Sequence, residues 1–321
     1  MVLITGGTGF IGTHLLEKLV SQGKTVRALV RRTRVPRTLP AGVETVYGDL
    51  ASGAGLQDAL RGVDSVIHLA GVTKALRAED YYSGNVRATE QLAHALAGRG
   101  VRLVHVSSLA AVGPSTAGIP LGEDSEAHPL THYGKSKLEA ERVVRSLLPD
   151  AVIVRPPVVY GPRDTDVFQL LKSISKGMVL EIAGGERWFS AIYVHDLVEG
   201  LLAAAGTPGA AGRSYFLAHA KAVSWRQLGT SAARIMARTP RVFIVPFGVA
   251  HAVGACAEVW ARCSGKPGIV SREKVAEARC MSWTCDTRRA ALELGYVAGT
   301  SLDDGLAATI AWYKEAGWLK Y

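Results

Sequence analysis

Short apolar runs alternate with longer amphipathic stretches along the first half of the chain. The runs read VLIT, TVRALV, VETVY, DSVIHL, VRLVHV and AVIVR. Between them lie stretches whose apolar residues recur every three or four positions, such as FIGTHLLEKLV, residues 85–97 and THYGKSKLEAERVVRSLL. The runs predict buried strands, and the three-to-four spacing predicts helices. Strands and helices in this alternation predict an α/β protein with a doubly wound parallel sheet.

A later apolar stretch, at residues 242–260, has a different pattern. It reads VFIVPFGVAHAVGACAEVW and is apolar nearly all round, with His251 and Glu258 as interruptions. Because such helices are most often part of a core, we interpret it as a strand followed by a core helix. Two other interpretations stay open, a lid over an apolar substrate and a contact with a membrane surface. The stretch is too short and broken to span a bilayer, so no integral membrane segment is expected.

Composition and charge limit the classes of function. The chain has 321 residues, of which 48% are hydrophobic and 20% charged, as in globular proteins. The four cysteines form no CxxC pair and lack zinc-ligand spacing, so we predict no metal site, and no leader pattern is seen, which predicts a cytoplasmic protein. The net charge is +9, but the one dense basic cluster has no aromatic interleaving, which argues against nucleic-acid binding. That cluster consists of Arg27, Arg31, Arg32, Arg34 and Arg37.

A glycine-rich turn follows the first predicted strand. Gly6, Gly9 and Gly12 fall at three-residue spacing, and the helix after the turn opens with Phe10 and Ile11. Glycine lets the backbone approach a pyrophosphate, whose charge then lies at the helix N-terminus. The spacing alone is a weak signal, since glycine turns also close strands onto helices. Its place between a strand and a helix predicts a dinucleotide site and a sheet of Rossmann type.

The end of the second predicted strand indicates which dinucleotide is bound. NAD sites usually place Asp or Glu there, whereas this chain has Arg31 and Arg32. A guanidinium forks onto a 2′-phosphate, which a carboxylate would repel. We therefore expect NADP(H) to be preferred, with NAD(H) as the alternative. Asp49, at the end of the third strand, is a candidate acceptor for the adenine amino group.

The alternation of strands and helices loosens after about Arg163, which indicates a second unit. We expect an NAD(P)-binding Rossmann domain at 1–163 and a mainly substrate-binding, smaller domain at 164–321. Segments at about 189–220 are expected to return to the first domain. The closing stretch GLAATIAWYKEAGWL predicts an amphipathic helix with Trp312 and Trp318 as packing residues.

Several motifs occur together in one order. They read TGGTGFIG, GDL, HLAG, VSS, YGKSK and RPPVVYGPR, and they resemble the extended short-chain dehydrogenase/reductases, the NAD-dependent epimerase/dehydratase family. The resemblance covers about the first 200 residues and continues weakly to the end. It implies further cofactor contacts at the matching positions, which are Leu50, Leu69, Ala70, Gly71, Val106 and Pro156.

The motif YGKSK contains the candidate catalytic pair, Tyr133 and Lys137. The resemblance implies that the tyrosine is the acid/base, that the lysine holds the nicotinamide ribose and that both contact the cofactor. It also implies a serine that orients the reacting oxygen, which we assign to Ser108, with Ser107 in reserve. Residues i and i+4 are neighbours on a helix. A free phenol has a pKa near 10, and we expect the ammonium and the positive nicotinamide ring to lower it.

Three places depart from the sugar-nucleotide members of the family. Leu109 stands where a third hydroxyl is common, Val158 where an Asn binds the diphosphate, and Phe189-Ser190 where an Arg-Asp pair grips phosphate. Arg187 lies nearby and is a candidate replacement for that pair. The stretch SSLAAVGP looks more like the 3β-hydroxysteroid dehydrogenases and dihydroflavonol-type reductases.

These departures favour an oxidoreductase that interconverts a secondary alcohol and a ketone on an apolar small molecule. We expect a substrate of steroid-, flavonol- or 3-oxoacyl-like type. The first alternative is a nucleotide-sugar epimerase of the same family. The second is a non-catalytic NADP(H)-sensing regulator, against which the presence of Tyr133 and Lys137 argues. A homodimer through the YGKSK helix is common in the family and is expected here.

Overall fold

The structure, a computed structural model, describes residues 1–32, 39–265, 268 and 271–320. The apolar runs of the first half form parallel strands of one sheet: β1 Val2–Thr5, β2 Val26–Val30, β3 Val43–Tyr47, β4 Ser65–His68, β5 Arg102–Val106 and β6 Val152–Val154. Their spatial order is β3-β2-β1-β4-β5-β6. The order reverses direction at β1, so the predicted Rossmann-type, doubly wound parallel sheet is confirmed.

Helices connect these strands. They are α1 Phe10–Ser21, α2 Leu56–Ala59, α3 Ala78–Tyr81, α4 Ala88–Leu96 and α5 His132–Leu147. The helix predicted at 85–97 belongs to a longer helical segment, in which a π-turn at Tyr82–Arg87 joins α3 to α4. A short 3₁₀ turn at Leu109–Ala111 follows β5.

Apolar side chains cover both faces of the sheet. Ile4 of β1 packs with Leu15 of α1 on one face, and Leu3 packs with Leu92 of α4 on the other. All four are fully buried. Burial on both faces explains why the strands read as continuous apolar runs rather than as alternating ones.

The second half adds smaller sheets and further helices. Its strands are β7 Val158–Tyr160, β8 Met178–Ile182, β9 Trp188–Phe189, β10 Ala191–Tyr193, β11 Ser214–Tyr215, β12 Val223–Ser224, β13 Arg241–Val245 and β14 Ser282–Trp283. Its helices are α6 Asp166–Ser175, α7 Val194–Gly206, α8 Trp225–Ile235, α9 Phe247–Ser264, α10 Arg272–Arg279, α11 Arg288–Leu294 and α12 Leu302–Glu315. β11 pairs with β6 and extends the main sheet, and α7 contributes Leu197 and Leu201 to its core. The domain boundary at residue 163 stays a prediction.

A second core lies between α6, α8 and α12. It includes Leu171, Leu228 and Ile310, all buried. Tyr313 is fully buried there, and the rings of Trp312 and Trp318 lie 5.7 and 5.4 Å from its own. Trp312, within the closing helix, and Trp318, just after it, are therefore packing residues, as predicted.

The apolar stretch at 242–260 is not part of a core, and that interpretation was wrong. It forms β13 and α9, in which the buried residues are Gly254 and Ala261. Gly254 allows α9 to pack against the start of α10, because a Cβ there would lie 3.1 Å from the backbone of Ser271. None of the helices formed by the described residues is long and apolar enough to cross a membrane. An apolar sequence does not reveal whether a partner element covers it, which is why composition misled here.

Two buried histidines lie side by side in the middle of the sheet. The rings of His68 and His105 are 5.3 Å apart, and both side chains are fully buried. His68 hydrogen-bonds with Thr5 and Thr89 through its two ring nitrogens. Within the described part of the chain, neither ring nitrogen of His105 has a hydrogen-bond partner. Burial lowers the pKa of His68 to about 3 and lowers that of His105 well below its usual value.

Candidate active site

The glycine turn lies at the carboxyl end of β1, where it leads into α1. Gly6 has a φ of +74°, and a Cβ there would lie 2.6 Å from the backbone nitrogen of Ala70. A Cβ on Gly12 would lie 2.3 Å from the carbonyl oxygen of Gly6. Both positions therefore need glycine. Gly9 precedes Phe10 as the N-cap, so the first backbone N–H groups of α1 are not covered by a capping side chain. The result is a cradle that fits a pyrophosphate at a helix N-terminus.

The basic residues after β2 have separate surroundings. Arg31 and Arg32 are exposed at the strand end, and the Arg32 guanidinium lies 4.8 Å from the ring centroid of Tyr47. Arg27 is nearly buried and binds Glu44 and the backbone carbonyls at the end of α2, so its role is structural. Arg34 and Arg37 lie outside the described residues.

The other predicted cofactor contacts lie at the same edge of the sheet. Asp49 accepts a hydrogen bond from Ala51 N at 2.7 Å, which shapes the turn after β3. Leu69, Ala70 and Gly71 follow β4, and Ala70 N donates to Thr5 Oγ1. The remaining predicted contacts are partly or fully buried. They lie at the start of α1, at strand ends or in the turns that follow strands: Phe10, Ile11, Leu50, Val106 and Pro156. The structure thus brings the predicted set together around the ends of β1, β3, β4 and β5.

Lys137 reaches from α5 to the end of β5. Its Nζ donates to the carbonyl of Val106 at 2.7 Å, and the side chain is buried. Burial lowers the pKa of Lys137 to about 8. Tyr133 and Lys137 thus lie one turn apart on α5, as predicted, and the ammonium of Lys137 is bound by a backbone carbonyl at the end of the sheet.

Asn85 is a site residue that the sequence analysis missed. It lies in the π-turn, is buried, and donates to Ser136 Oγ at 2.8 Å and to the carbonyl of Val72. Its Oδ1 also accepts from Val72 N, and it lies close to Gly71. These contacts tie the segment after β4 to the first turns of α5. A polar residue on the inner face of a helical stretch was the signal that could have identified it.

Tyr133 and Ser108 lie together at the start of α5. Thr131 caps this helix by accepting from Gly134 N, which places Tyr133 in the first turn. A Cβ on Gly134 would lie 2.3 Å from the carbonyl of Ala110, so this glycine lets α5 approach the turn that holds Ser108. The side chain of Ser108 lies beside the phenol of Tyr133.

The two serines after β5 differ in their surroundings. Ser107 is buried, and among the described residues its hydroxyl has no hydrogen-bond partner. Ser108 is half-buried; its Oγ accepts from Ala110 N at 3.1 Å and lies beside the phenol of Tyr133. The geometry therefore favours Ser108 over Ser107 for contact with a reacting oxygen.

Burial raises the pKa of Tyr133, and the neighbouring side chain of Ser108 opposes this rise. The predicted lowering depends partly on the positive nicotinamide ring, so it stays a prediction for the cofactor complex. A smaller lowering comes from the positive charge of Lys274 on α10. At neutral pH the side chain of Tyr133 is therefore a phenol, which is the form that donates a proton.

The positions that differ from the sugar-nucleotide pattern are part of the packing. Leu109 is buried, and Phe189 is buried with its ring stacked on Trp225 at 4.3 Å. Ser190 accepts from Cys285 N. Arg187 donates to the carbonyls of Ile182, Ala183 and Gly185, so its guanidinium closes a turn of its own chain.

A cavity of about 1110 Å³ lies beside Tyr133. Its walls come from the segment after β4, from the start of α5, and from α9 and α10. Helix α10 is held to the start of α5 by two of its carboxylates. Glu277 accepts a hydrogen bond from Thr131 Oγ1, and Glu273 accepts one from His132 N. The walls contain both charged and apolar residues, for example Lys74, Leu76, Arg77, Ala261 and Glu277.

Comparison with known proteins places this geometry in a family. The sequence pattern of the NAD dependent epimerase/dehydratase family matches residues 2–218. The chain belongs to this family. "Ceramide reductase" of Caulobacter vibrioides (strain NA1000 / CB15N) is 32% identical over 320 residues, which are 99% of this chain and 96% of that protein. The "4-hydroxy-2-methyl-3-oxo-4-farnesyl-3,4-dihydroquinoline-1-oxide ketoreductase" of Stigmatella aurantiaca is 31% identical, over 95% of this chain and 94% of its own.

Solved structures agree with the family. MoeE5 in complex with UDP-glucuronic acid and NAD has a TM-score of 0.79 and 27% identity, and the match covers 98% of this chain and 99% of that one. The predicted enzyme class is confirmed, and both curated relatives above are reductases, as the resemblance to the reductase branch predicted. The chain is thus an extended short-chain oxidoreductase or epimerase of an NAD-dependent family.

Proposed function

We propose that this enzyme interconverts a secondary alcohol and a ketone with NAD(P)(H), using Ser108, Tyr133 and Lys137. The observation that carries the proposal is that Ser108 lies beside the phenol of Tyr133 at the wall of the cavity. Two neighbouring hydroxyls can bind one carbonyl oxygen, and one of them can transfer a proton to it. A nicotinamide cofactor, when bound, supplies or accepts the hydride.

The residues have separate roles in this reaction. Ser108 orients the carbonyl oxygen, and Tyr133 donates the proton in reduction or accepts it in oxidation. Raised by burial, the pKa of Tyr133 keeps the phenol protonated at neutral pH, as proton donation in reduction requires. Lys137, fixed on Val106, lies where the cofactor ribose would be held, and Asn85 fixes the loop beside it.

The chain fits a dinucleotide at the glycine cradle, because side chains at Gly6 and Gly12 would fill it. NADP(H) is the preferred cofactor in this proposal, since Arg31 and Arg32 are exposed at the end of β2. Arg31→Asp should lower the affinity for NADPH by about tenfold, because a charge-assisted hydrogen bond contributes roughly 1.5–3 kcal/mol. NADH affinity should change little.

Fluorescence titration with both reduced cofactors checks this prediction. Arg213→Asp, on the far side of the main sheet, changes the net charge equally and serves as the control. Tighter binding of NADH than of NADPH by the unmodified protein would contradict the preference.

An apolar ketone is the substrate class that we propose. A diphosphate buried without charge-assisted donors would be costly to desolvate. Three cations of the cavity wall, Lys74, Arg272 and Lys274, already pair with carboxylates. At the phosphate position of the sugar-nucleotide enzymes, Phe189 is stacked in the core, and Arg187, the candidate replacement, donates to three backbone carbonyls. The similarity to a ceramide reductase and to a farnesyl-bearing ketoreductase supports an apolar skeleton. Within this class we favour a long-chain 3-oxo lipid.

The test is a thermal-shift panel on the NADPH complex, followed by the absorbance of reduced nicotinamide. Long-chain ketones should raise the melting temperature and oxidise NADPH, whereas UDP- and GDP-sugars should do neither. If a UDP-sugar stabilises the complex and is epimerised, the enzyme is a nucleotide-sugar epimerase. A homodimer through α5 and a cytoplasmic location remain predictions.

A further inference from the structure

Helix α9 has two chemically different faces. His251, Glu258 and Ala261 lie on the face that lines the cavity beside Tyr133. Positions i, i+4, i+7 and i+11 form a stripe on the opposite face. In α9 this stripe consists of Val249, Val253, Cys256 and Trp260, which are all exposed. The indole of Trp260 is 76% exposed.

Exposed apolar residues continue into the strand before the helix. β13 pairs with β8, and within this pair Phe243 lies opposite Leu180. Both side chains are exposed. Apolar surface of this extent is uncommon on a protein that remains free in solution, and it marks a contact with another molecule or with a membrane.

The charges around the α9 stripe favour an anionic bilayer as its partner. Residues 238–265 contain three arginines and one carboxylate, Glu258, which pairs with Arg272 at 2.8 Å. Arg241, before the helix, and Arg262, in its last turn, are exposed. Arginines near an anionic leaflet are attracted to it, and tryptophan is enriched at the level of the headgroups.

We propose that α9 docks the enzyme on the surface of an anionic lipid bilayer. The α9 stripe enters the boundary between headgroups and acyl chains, and Arg241, before the helix, binds the anionic headgroups. The face with His251 and Glu258 remains toward the cavity, so the helix separates the bilayer from the site of Tyr133. This inference rests on the proposed function in one respect, because an apolar ketone would then be taken up from the bilayer beside the site.

Co-sedimentation with vesicles tests the docking without any substrate. The full chain is mixed with vesicles of phosphatidylcholine containing phosphatidylglycerol, and with vesicles of phosphatidylcholine alone. The double variant Val253→Glu/Trp260→Glu changes exposed residues only, so it should fold, and its melting temperature is measured to verify this. Leu292→Glu, on α11 and 85% exposed, is the matched control.

The unmodified protein and Leu292→Glu should bind the anionic vesicles and bind the neutral ones less. The folded double variant should bind anionic vesicles about tenfold more weakly or less, since it loses two apolar contacts and gains two negative charges. Equal binding by the double variant would overturn the proposal. The proposal would also be overturned if the unmodified protein failed to bind anionic vesicles. The same holds if, without vesicle binding, the protein formed a concentration-dependent dimer that the two substitutions abolish.

A turnover assay separates this inference from the proposed function. Activity on a short, water-soluble ketone should be the same in the unmodified protein and the double variant, whereas reduction of a vesicle-embedded ketone should fall in the variant alone. Vesicle binding without reduction of any ketone would support the docking and defeat the proposed function. Equal reduction of the embedded ketone by both proteins would overturn the docking.

Discussion

Tyr133→Phe should lower kcat/KM for the ketone by about 10²–10⁴-fold, the usual contribution of a general acid or base. The ring and its packing remain, and the hydroxyl beside Ser108 is lost. Affinity for NADPH should therefore stay within about twofold, as measured by titration, while steady-state kinetics records the loss of rate.

Tyr81→Phe is the matched control for this prediction. The ring of Tyr81 lies 6.3 Å from that of Tyr133 and lines the same cavity. Because its hydroxyl is not the partner of Ser108, its removal should change kcat/KM by severalfold at most. If Tyr133→Phe loses less than tenfold, or if both variants lose activity equally, Tyr133 is not the proton donor.

The protein should lose stability between about pH 6.5 and pH 3, because His68 and His105 are buried in their neutral form. Burial is the main cause of both lowered pKa values, and the positive charge of Lys137 adds to it. In this window the unfolded chain binds protons that the folded chain does not, so the free energy of unfolding falls as the pH falls. With a folded pKa of about 3, His68 alone should cost roughly 2 kcal/mol at pH 5 relative to pH 7.

Urea unfolding at pH 7 and pH 5 measures this loss. His105→Leu removes one of the two groups without breaking a hydrogen bond to a described residue, so the difference between the two pH values should shrink. His94→Gln, on the exposed side of α4, should leave the difference unchanged. The same pH sensitivity in His105→Leu as in the unmodified protein would contradict the prediction.

The sheet and the glycine cradle could be predicted because local rules decide them. Strands such as β1 are buried on both faces, so their apolar runs have no competing interpretation once helices alternate with them. Close backbone approaches at Gly6 and Gly12 exclude any Cβ, so both positions need glycine. The spacing of these glycines is therefore visible in the sequence. The pairing of Ser108 with Tyr133 followed from the resemblance to a family rather than from periodicity.

Three features depended on tertiary contacts that the sequence does not show. The carbonyl of Val106 accepts a hydrogen bond from Lys137, a contact between α5 and β5 that helical spacing does not show. Asn85 reaches Val72 and Ser136 from a π-turn, which has no simple sequence period. The exposure of α9 depends on which elements pack against it, and apolar composition is the same for a core helix and for a docking surface.

The central claim is that the enzyme reduces a ketone on an apolar molecule in one net hydride transfer. It is tested most directly by incubation with NADPH that carries deuterium at the transferable position, together with a long-chain 3-oxo amide, and mass spectrometry of the product. We predict one deuterium on the new carbinol carbon for each NADPH oxidised, and labelling that is about 10²–10⁴-fold slower with Tyr133→Phe. An unlabelled amide, together with a UDP-sugar that is converted to its epimer without net oxidation of NADPH, would contradict the account.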